Sequence, residues 1–107
     1  MRVLLDECLP RKLKRSLPGH EVRTVPEVGW SGWTNGLLLQ AIAGHFDFFV
    51  TVDGNLLSQQ RTEPRTFGIV VVKARSNRLE DILPLVPELK TALVMSNVGQ
   101  VITVSQT

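Results

Sequence analysis

Asp6 and Asp53 are the residues whose type and placement point most directly to chemistry. Each follows a short apolar run, residues 2–5 and 46–52, with the composition of a β-strand. If these strands are parallel neighbours, their carboxyl ends bring both acids to one edge of a sheet. Two carboxylates a few ångströms apart repel and raise each other's pKa unless a cation lies between them. Oxygen ligands of this kind suit Mg²⁺ or Mn²⁺, which keep several waters and bind through one or two carboxylates. Such a metal polarises a phosphoryl oxygen or generates hydroxide for phosphodiester hydrolysis. Glu7 stands beside Asp6, and Asn55, two residues after Asp53, offers a neutral oxygen or a hold on water. Acids at strand ends also cap helices, and Asp53-Gly54-Asn55 also suits a plain turn.

The elements that must position these residues alternate. After the first strand, Pro10 sits where a helix tolerates it, and residues 11–17 are helix formers ended by Pro18-Gly19. Residues 21–25 alternate polar and apolar as a half-exposed strand does, and 26–33, with two glycines and a proline, form a loop. Thr34 is the expected N-cap of a second helix carrying Leu37, Leu38, Ala41 and Ile42 and stopping near Gly44. The nearly continuous apolar run 46–52, interrupted at Asp47 and Thr51, suits a strand buried on both faces. Residues 56–60 are expected to form a short helix, and 68–72 a fourth strand. Asn77-Arg78-Leu79-Glu80 resembles a capping box before a helical region divided by Pro84 and Pro87, and 100–104 is expected at a sheet edge. The order βαβαβαβαβ predicts one three-layer α/β/α domain over residues 1–107, with a mostly parallel five-stranded sheet. Ligands bind such sheets beyond the strands' carboxyl ends, where strand order reverses.

Composition narrows the alternatives. The 107 residues suffice for one core, and 43% hydrophobic content with 21% charge argues against wholesale disorder. A single cysteine, Cys8, excludes an intrachain disulfide or a cysteine-based zinc site within one chain. A reducing compartment is expected, the cytoplasm by default. The apolar run before Asp6 is too short for a signal peptide or a membrane helix, so no membrane association is expected. The net charge of +2 decides little, but its distribution is uneven. Arg11, Lys12, Lys14 and Arg15 lie on the helix just beyond Asp6, where they could grip RNA phosphates or simply form a solvated face. Arg61, Arg65, Lys73 and Arg75 are candidates to extend that rim. Trp30 and Trp33 either close over the core or, if exposed, stack bases or anchor a partner protein, the partner surface being preferred to stacking. His20 and His45 follow glycines at helix ends and are expected as caps or turn residues, and Cys8 as a packing residue. No glycine-rich phosphate loop is present.

Three segments carry a family resemblance. Met1-Arg2-Val3-Leu4-Leu5-Asp6-Glu7-Cys8-Leu9-Pro10, followed by a basic helix and Gly19-His20-Glu21-Val22, resembles the opening of small PIN-like proteins. Thr51-Val52-Asp53-Gly54-Asn55-Leu56 resembles their second signature, and Gly29-Trp30-Ser31-Gly32-Trp33-Thr34-Asn35 the glycine-containing loop before their second helix. The resemblance runs to about residue 75. It implies a PIN-like fold and a metal-dependent ribonuclease, in several such families the toxin of a toxin–antitoxin pair. Asp6 and Asp53 are then the implied metal ligands for Mg²⁺ or Mn²⁺, with Glu7 accessory. RNA is the implied substrate, an antitoxin protein an implied partner, and pairing into a homodimer is common among such relatives. Asn35 and Asn55 stand where relatives usually carry aspartate, which removes negative charge and favours, as the alternative, a non-catalytic module binding RNA or protein.

Overall fold

The computed structural model describes residues 1–52, 66–95, 99 and 101–105. β1 (Arg2–Leu5), β2 (Glu21–Thr24), β3 (Phe48–Thr51), β4 (Gly68–Lys73) and β5 (Val101–Ser105) form one sheet in the order β2-β1-β3-β4-β5. Every adjacent pair is parallel. The chain moves from β1 outward to β2, then returns past β1 to β3, so strand order reverses between β1 and β3. That is the topological switch point of an α/β sheet.

Alternation along the strands builds two cores. Val3 and Leu5 of β1, Phe48 and Val50 of β3, and Val70 and Val72 of β4 face one cluster, while Leu4, Phe49, Ile69 and Val71 face the other. Successive strand side chains point to opposite faces, so a strand apolar at every position must be covered on both. All four residues of β3 are buried. On one face Leu13 and Leu17 pack with the helical segment 79–95, and on the other lies α1 (Asn35–Ile42). Gly68 opens β4 against the Phe48 ring, which any β-carbon there would meet. The sheet therefore stands on close packing as well as on apolar pattern.

Several elements differ locally from expectation. Residues 11–17 form a 3-10 helix, Arg11–Ser16, closed by i→i+3 bonds such as Leu13 N–H to the Pro10 carbonyl at 3.1 Å. Its first turn has no acid and its N-cap, Pro10, offers no side-chain acceptor, so nothing within the helix itself offsets four cations in six residues. In α1, Thr34 Oγ1 accepts from Leu37 N–H as an N-cap should, at 3.3 Å. Leu38, Leu39 and Ile42 face the core, whereas Leu37, expected on the apolar face, is 56% exposed, because α1 docks on the sheet through Leu38, Leu39 and Ile42. Gly44 follows with φ +86°, a backbone state that glycine adopts without strain.

The capping box at Asn77–Glu80 does not form. Arg78 occupies the N-cap of α2 (Leu79–Ile82) without a side-chain cap bond, and Ser76 Oγ instead accepts from Arg78 N–H at 3.1 Å. Ser76 also donates to Asp81 Oδ2 at 2.5 Å, so the serine and Asp81 together hold the turn. Pro84 falls in a 3-10 turn, Leu83–Leu85, and Pro87 is the second residue of α3 (Val86–Met95). Both prolines thus sit near the start of a helical piece, where a missing N–H is harmless. β5 lies at the sheet edge as its alternation predicted. The helix expected at 56–60 lies outside the described residues. Among the described residues, no helix is long and apolar enough to cross a membrane.

Candidate functional site at the carboxyl edge

All five strands end at the same edge of the sheet, and the switch point places the ends of β1 and β3 side by side. Leu5 pairs with Val50, and the Asp6 N–H continues the ladder to the Val50 carbonyl at 2.9 Å. Asp6 is thereby fixed beside Thr51. Its Oδ1 accepts from the Glu7 N–H at 2.8 Å, and its Oδ2 accepts from Thr51 Oγ1 at 2.6 Å. Thr51 is fully buried and is one of two buried polar residues among the described ones. A buried hydroxyl needs a partner, so this bond both satisfies Thr51 and orients Asp6. Among the described residues no lysine, arginine or histidine forms an ion pair with Asp6.

The surrounding loops close on the same point. Leu9 N–H donates to the Asp6 carbonyl at 3.0 Å, turning the chain tightly after β1. Gly32, at φ +78° in the loop before α1, directs its N–H to Glu7 Oε1 at 3.4 Å. Asn77, beyond the end of β4, donates from Nδ2 to the Cys8 carbonyl at 3.0 Å. Cys8 is half-buried beside Asp6. Burial pushes its thiol up, and the negative charge of Asp6 adds to this, against the opposing pull of the Val52 backbone and Thr51. The thiol is therefore held protonated near neutrality and is a poor nucleophile.

The basic residues divide in two. Lys14 Nζ is clamped by Glu27, 2.9 Å from Oε1 and 2.8 Å from Oε2. Glu27 also accepts from Thr24 N–H at 2.9 Å, and the lysine together with this backbone donor holds its carboxyl below the usual range. Arg11, Lys12 and Arg15 are exposed and, among the described residues, form no ion pair. A cavity of about 310 Å³ is lined by these cations together with Lys14 and Glu27. A second, of about 620 Å³, is lined by Glu7, Leu9, Arg11, Thr24, Pro26 and Glu27. Arg11 lines both, so a continuous surface leads from the acidic edge to the basic helix.

The structure brings Asp6, Glu7 and Arg11 into one region and connects the Asn35 loop to it through Gly32. Asn35 itself opens α1. Asp53 and Asn55 lie outside the described residues, as do Arg61 and Arg65. Asp53 follows Val52 in the chain, and Val52 follows the residue that holds Asp6. The oxygen donors present fit a hard cation: a carboxylate has about four lone-pair sites, and those on Asp6 are only partly taken, by the Glu7 amide, the Thr51 hydroxyl and the Cys8 thiol. Among the described residues no group of three or more histidines, cysteines or acids is placed to hold a metal ion.

Other singled-out residues take structural roles. Trp30 packs on the core beside Phe46, and Trp33 stacks on it at 5.3 Å while remaining 41% exposed. His45 Nδ1 lies 2.9 Å from the Ala41 carbonyl at the end of α1, as a cap would. His20 Nδ1 is buried and has no hydrogen-bond partner among the described residues. Asp47 serves the opposite edge, where Oδ2 accepts from Arg2 N–H at 2.8 Å. Sequence reasoning assigns Thr51, Glu27 and Asn77 no part in the site. Thr51 carried a signal, a hydroxyl inside an otherwise apolar run, whereas Glu27 and Asn77 carried none, because their partners are distant in sequence. No protein-family model, characterised protein or solved structure matches this chain.

Proposed function

We propose that the chain is a metal-dependent endoribonuclease of PIN-like type, acting as the toxin of a toxin–antitoxin pair. The observation that carries this is Asp6. It stands at the switch point of a parallel sheet, aimed by the buried Thr51 hydroxyl, with no cation paired to it among the described residues. Asp6 and Asp53 would hold Mg²⁺ or Mn²⁺, which supplies Lewis acidity for phosphodiester hydrolysis when bound. Glu7 and Asn55 position water. Arg11, Lys12 and Arg15 bind the RNA backbone through phosphate contacts that are salt-dependent, while Lys14 acts mainly through Glu27 to hold the basic helix against the β2 loop.

The test is cleavage of single-stranded and structured RNA with Mn²⁺ by the wild type, Asp6→Asn and Asp53→Asn. Cleavage by the wild type alone supports the assignment. Equal cleavage by all three rejects it, since a contaminating nuclease then accounts for the activity. A second function, a non-catalytic module that binds RNA or protein, is favoured by the neutral Asn35 and Asn55. It requires RNA binding without divalent ions and little heat on Mn²⁺ titration. Tight Mn²⁺ binding lost in Asp53→Asn excludes it.

A further inference from the structure

Leu4 of β1 joins the core cluster beneath α1, and strand alternation puts Arg2 on the same face of the sheet. The parallel register sets Glu21 beside Arg2 and Arg23 beside Leu4, so all four share that face. Arg2, Glu21 and Arg23 are exposed, and among the described residues none from β2 enters the cluster. Aromatic rings border this open strip. Trp30 meets Phe46 and His45 near right angles, at 5.9 and 6.1 Å between ring centres, and Trp33 stacks on it at 5.3 Å. Between rings and strip lies a groove of about 300 Å³ lined by Arg2, Glu21, Arg23, Trp30, His45 and Phe46 among others. Local bonds fix its aromatic wall. Trp30 N–H donates to the Val25 carbonyl at 3.1 Å, Trp33 N–H to the Trp30 carbonyl at 3.3 Å, and His45 Nδ1 sits on the Ala41 carbonyl. Gly32, between the two tryptophans, reaches Glu7, so the loop that carries the rings also touches the acidic edge.

We infer that this groove seats one unpaired nucleotide of a single-stranded RNA, its base against Trp30 and His45 and its phosphate towards Arg2 and Arg23. Loop tryptophans alone suit a protein partner as well as a base. What separates the two is the cavity beside them and the charges that the sheet register brings to it. A volume near the lower limit of about 300 Å³ for ligand pockets admits a single flat group, whereas a protein partner needs a broad surface of about 800 Å². Each part of a nucleotide finds a counterpart there. The rings offer a stacking wall, and the guanidinium groups offer donors to phosphate oxygens. The Arg23–Glu21 pair is loose at 3.6 Å, with both side chains more than half exposed, so it holds Arg23 weakly against a phosphate. Glu21 is then left as an acceptor for an exocyclic amine of the base. The basic helix packs on the opposite core through Leu13 and Leu17, so this contact is separate from its phosphate contacts. That the strand is RNA rests on the function proposed above, but seating it requires neither a metal nor cleavage.

Trp30 and Trp33 are the two tryptophans of a chain without tyrosine, so intrinsic fluorescence reads this patch directly. The wild type in EDTA, titrated with a short fluorescein-labelled single-stranded RNA, is expected to show saturable tryptophan quenching that follows the anisotropy of the label. Arg23→Glu should weaken binding by about tenfold or more, and His45→Ala by about fivefold or more. Both residues are exposed, so neither change opens the core. A blunt duplex of the same sequence should quench little, because its bases are already stacked on one another. RNA that binds by anisotropy without quenching the tryptophans overturns the proposal and leaves the nuclease reading standing. So does binding indifferent to Arg23→Glu and His45→Ala, or equal quenching by the duplex. Quenching in EDTA by a protein that cleaves nothing with Mn²⁺ upholds the groove and rejects the nuclease, and no binding at all overturns both.

Discussion

Asp6 and Glu27 sit a few residues beyond the ends of neighbouring strands, yet their charges are handled in opposite ways. Glu27 is bracketed by the Lys14 ammonium and the Thr24 amide, so its charge is neutralised within the protein and serves to hold the basic helix. Asp6 is held by the neutral Thr51 hydroxyl and the Glu7 amide, which orient it without cancelling its charge. An acid that is positioned but not neutralised is available to an external cation, whereas one already in an ion pair is not. The difference separates a candidate ligand from a structural acid better than sequence position does.

The largest test of that difference is Asp6→Asn. It should lower Mn²⁺ affinity and RNA cleavage by more than the roughly 10–100-fold typical of losing an outer-shell partner. Glu27→Gln should leave both within a fewfold, and equal losses in the two variants would erase the distinction. Thr51→Val comes next. It keeps shape but removes the donor that aims Asp6, and should reduce Mn²⁺ affinity by about 10–100-fold, measured by titration calorimetry. Unchanged affinity would mean that the hydroxyl serves folding alone.

Cys8 reports the Asp6 charge more gently. Its thiol is raised by burial and then by Asp6, so alkylation should be slow near neutral pH and accelerate only above the ordinary thiol range. Asp6→Asn should speed alkylation severalfold at fixed pH, while Glu27→Gln should not change it. The smallest effect is that of the Lys14–Glu27 pair itself. A carboxyl lowered in the folded state contributes stability above its unfolded pKa, about 4.3, and loses it as pH falls through the folded value. Lys14→Met should cost about 0.2–1 kcal/mol in denaturant melts at pH 7, as for a solvent-screened pair, and progressively less as pH falls below about 4.

Much of the architecture was legible from the chain. Strand composition located β1, β3 and β4 because a strand covered on both faces must be apolar at every position, and such runs leave a local trace. The β–α alternation carried the parallel sheet, and with it the edge on which Asp6 had to lie. Phase within helices was less legible. Leu37 and Leu39 are both apolar, and only the docking of α1 on the sheet decides which of them faces the core. The Asn77 motif was misleading because Asn77 is drawn across to the Cys8 carbonyl, while Ser76, one residue earlier, braces the turn through Arg78 N–H and Asp81.

What the sequence determined by itself, then, is the set of short-range quantities: strands, helices, their alternation and the acids at strand ends. The tertiary structure decided what depends on pairing across long separations. Strand order put β1 beside β3, so that Thr51 reaches Asp6 across 45 positions of chain. It put Glu27 on Lys14, taking one of four cations away from any phosphate. It also left β5 at an edge beside an open groove. Periodicity and composition fix which face of an element is buried, but they carry no record of which element lies next to it.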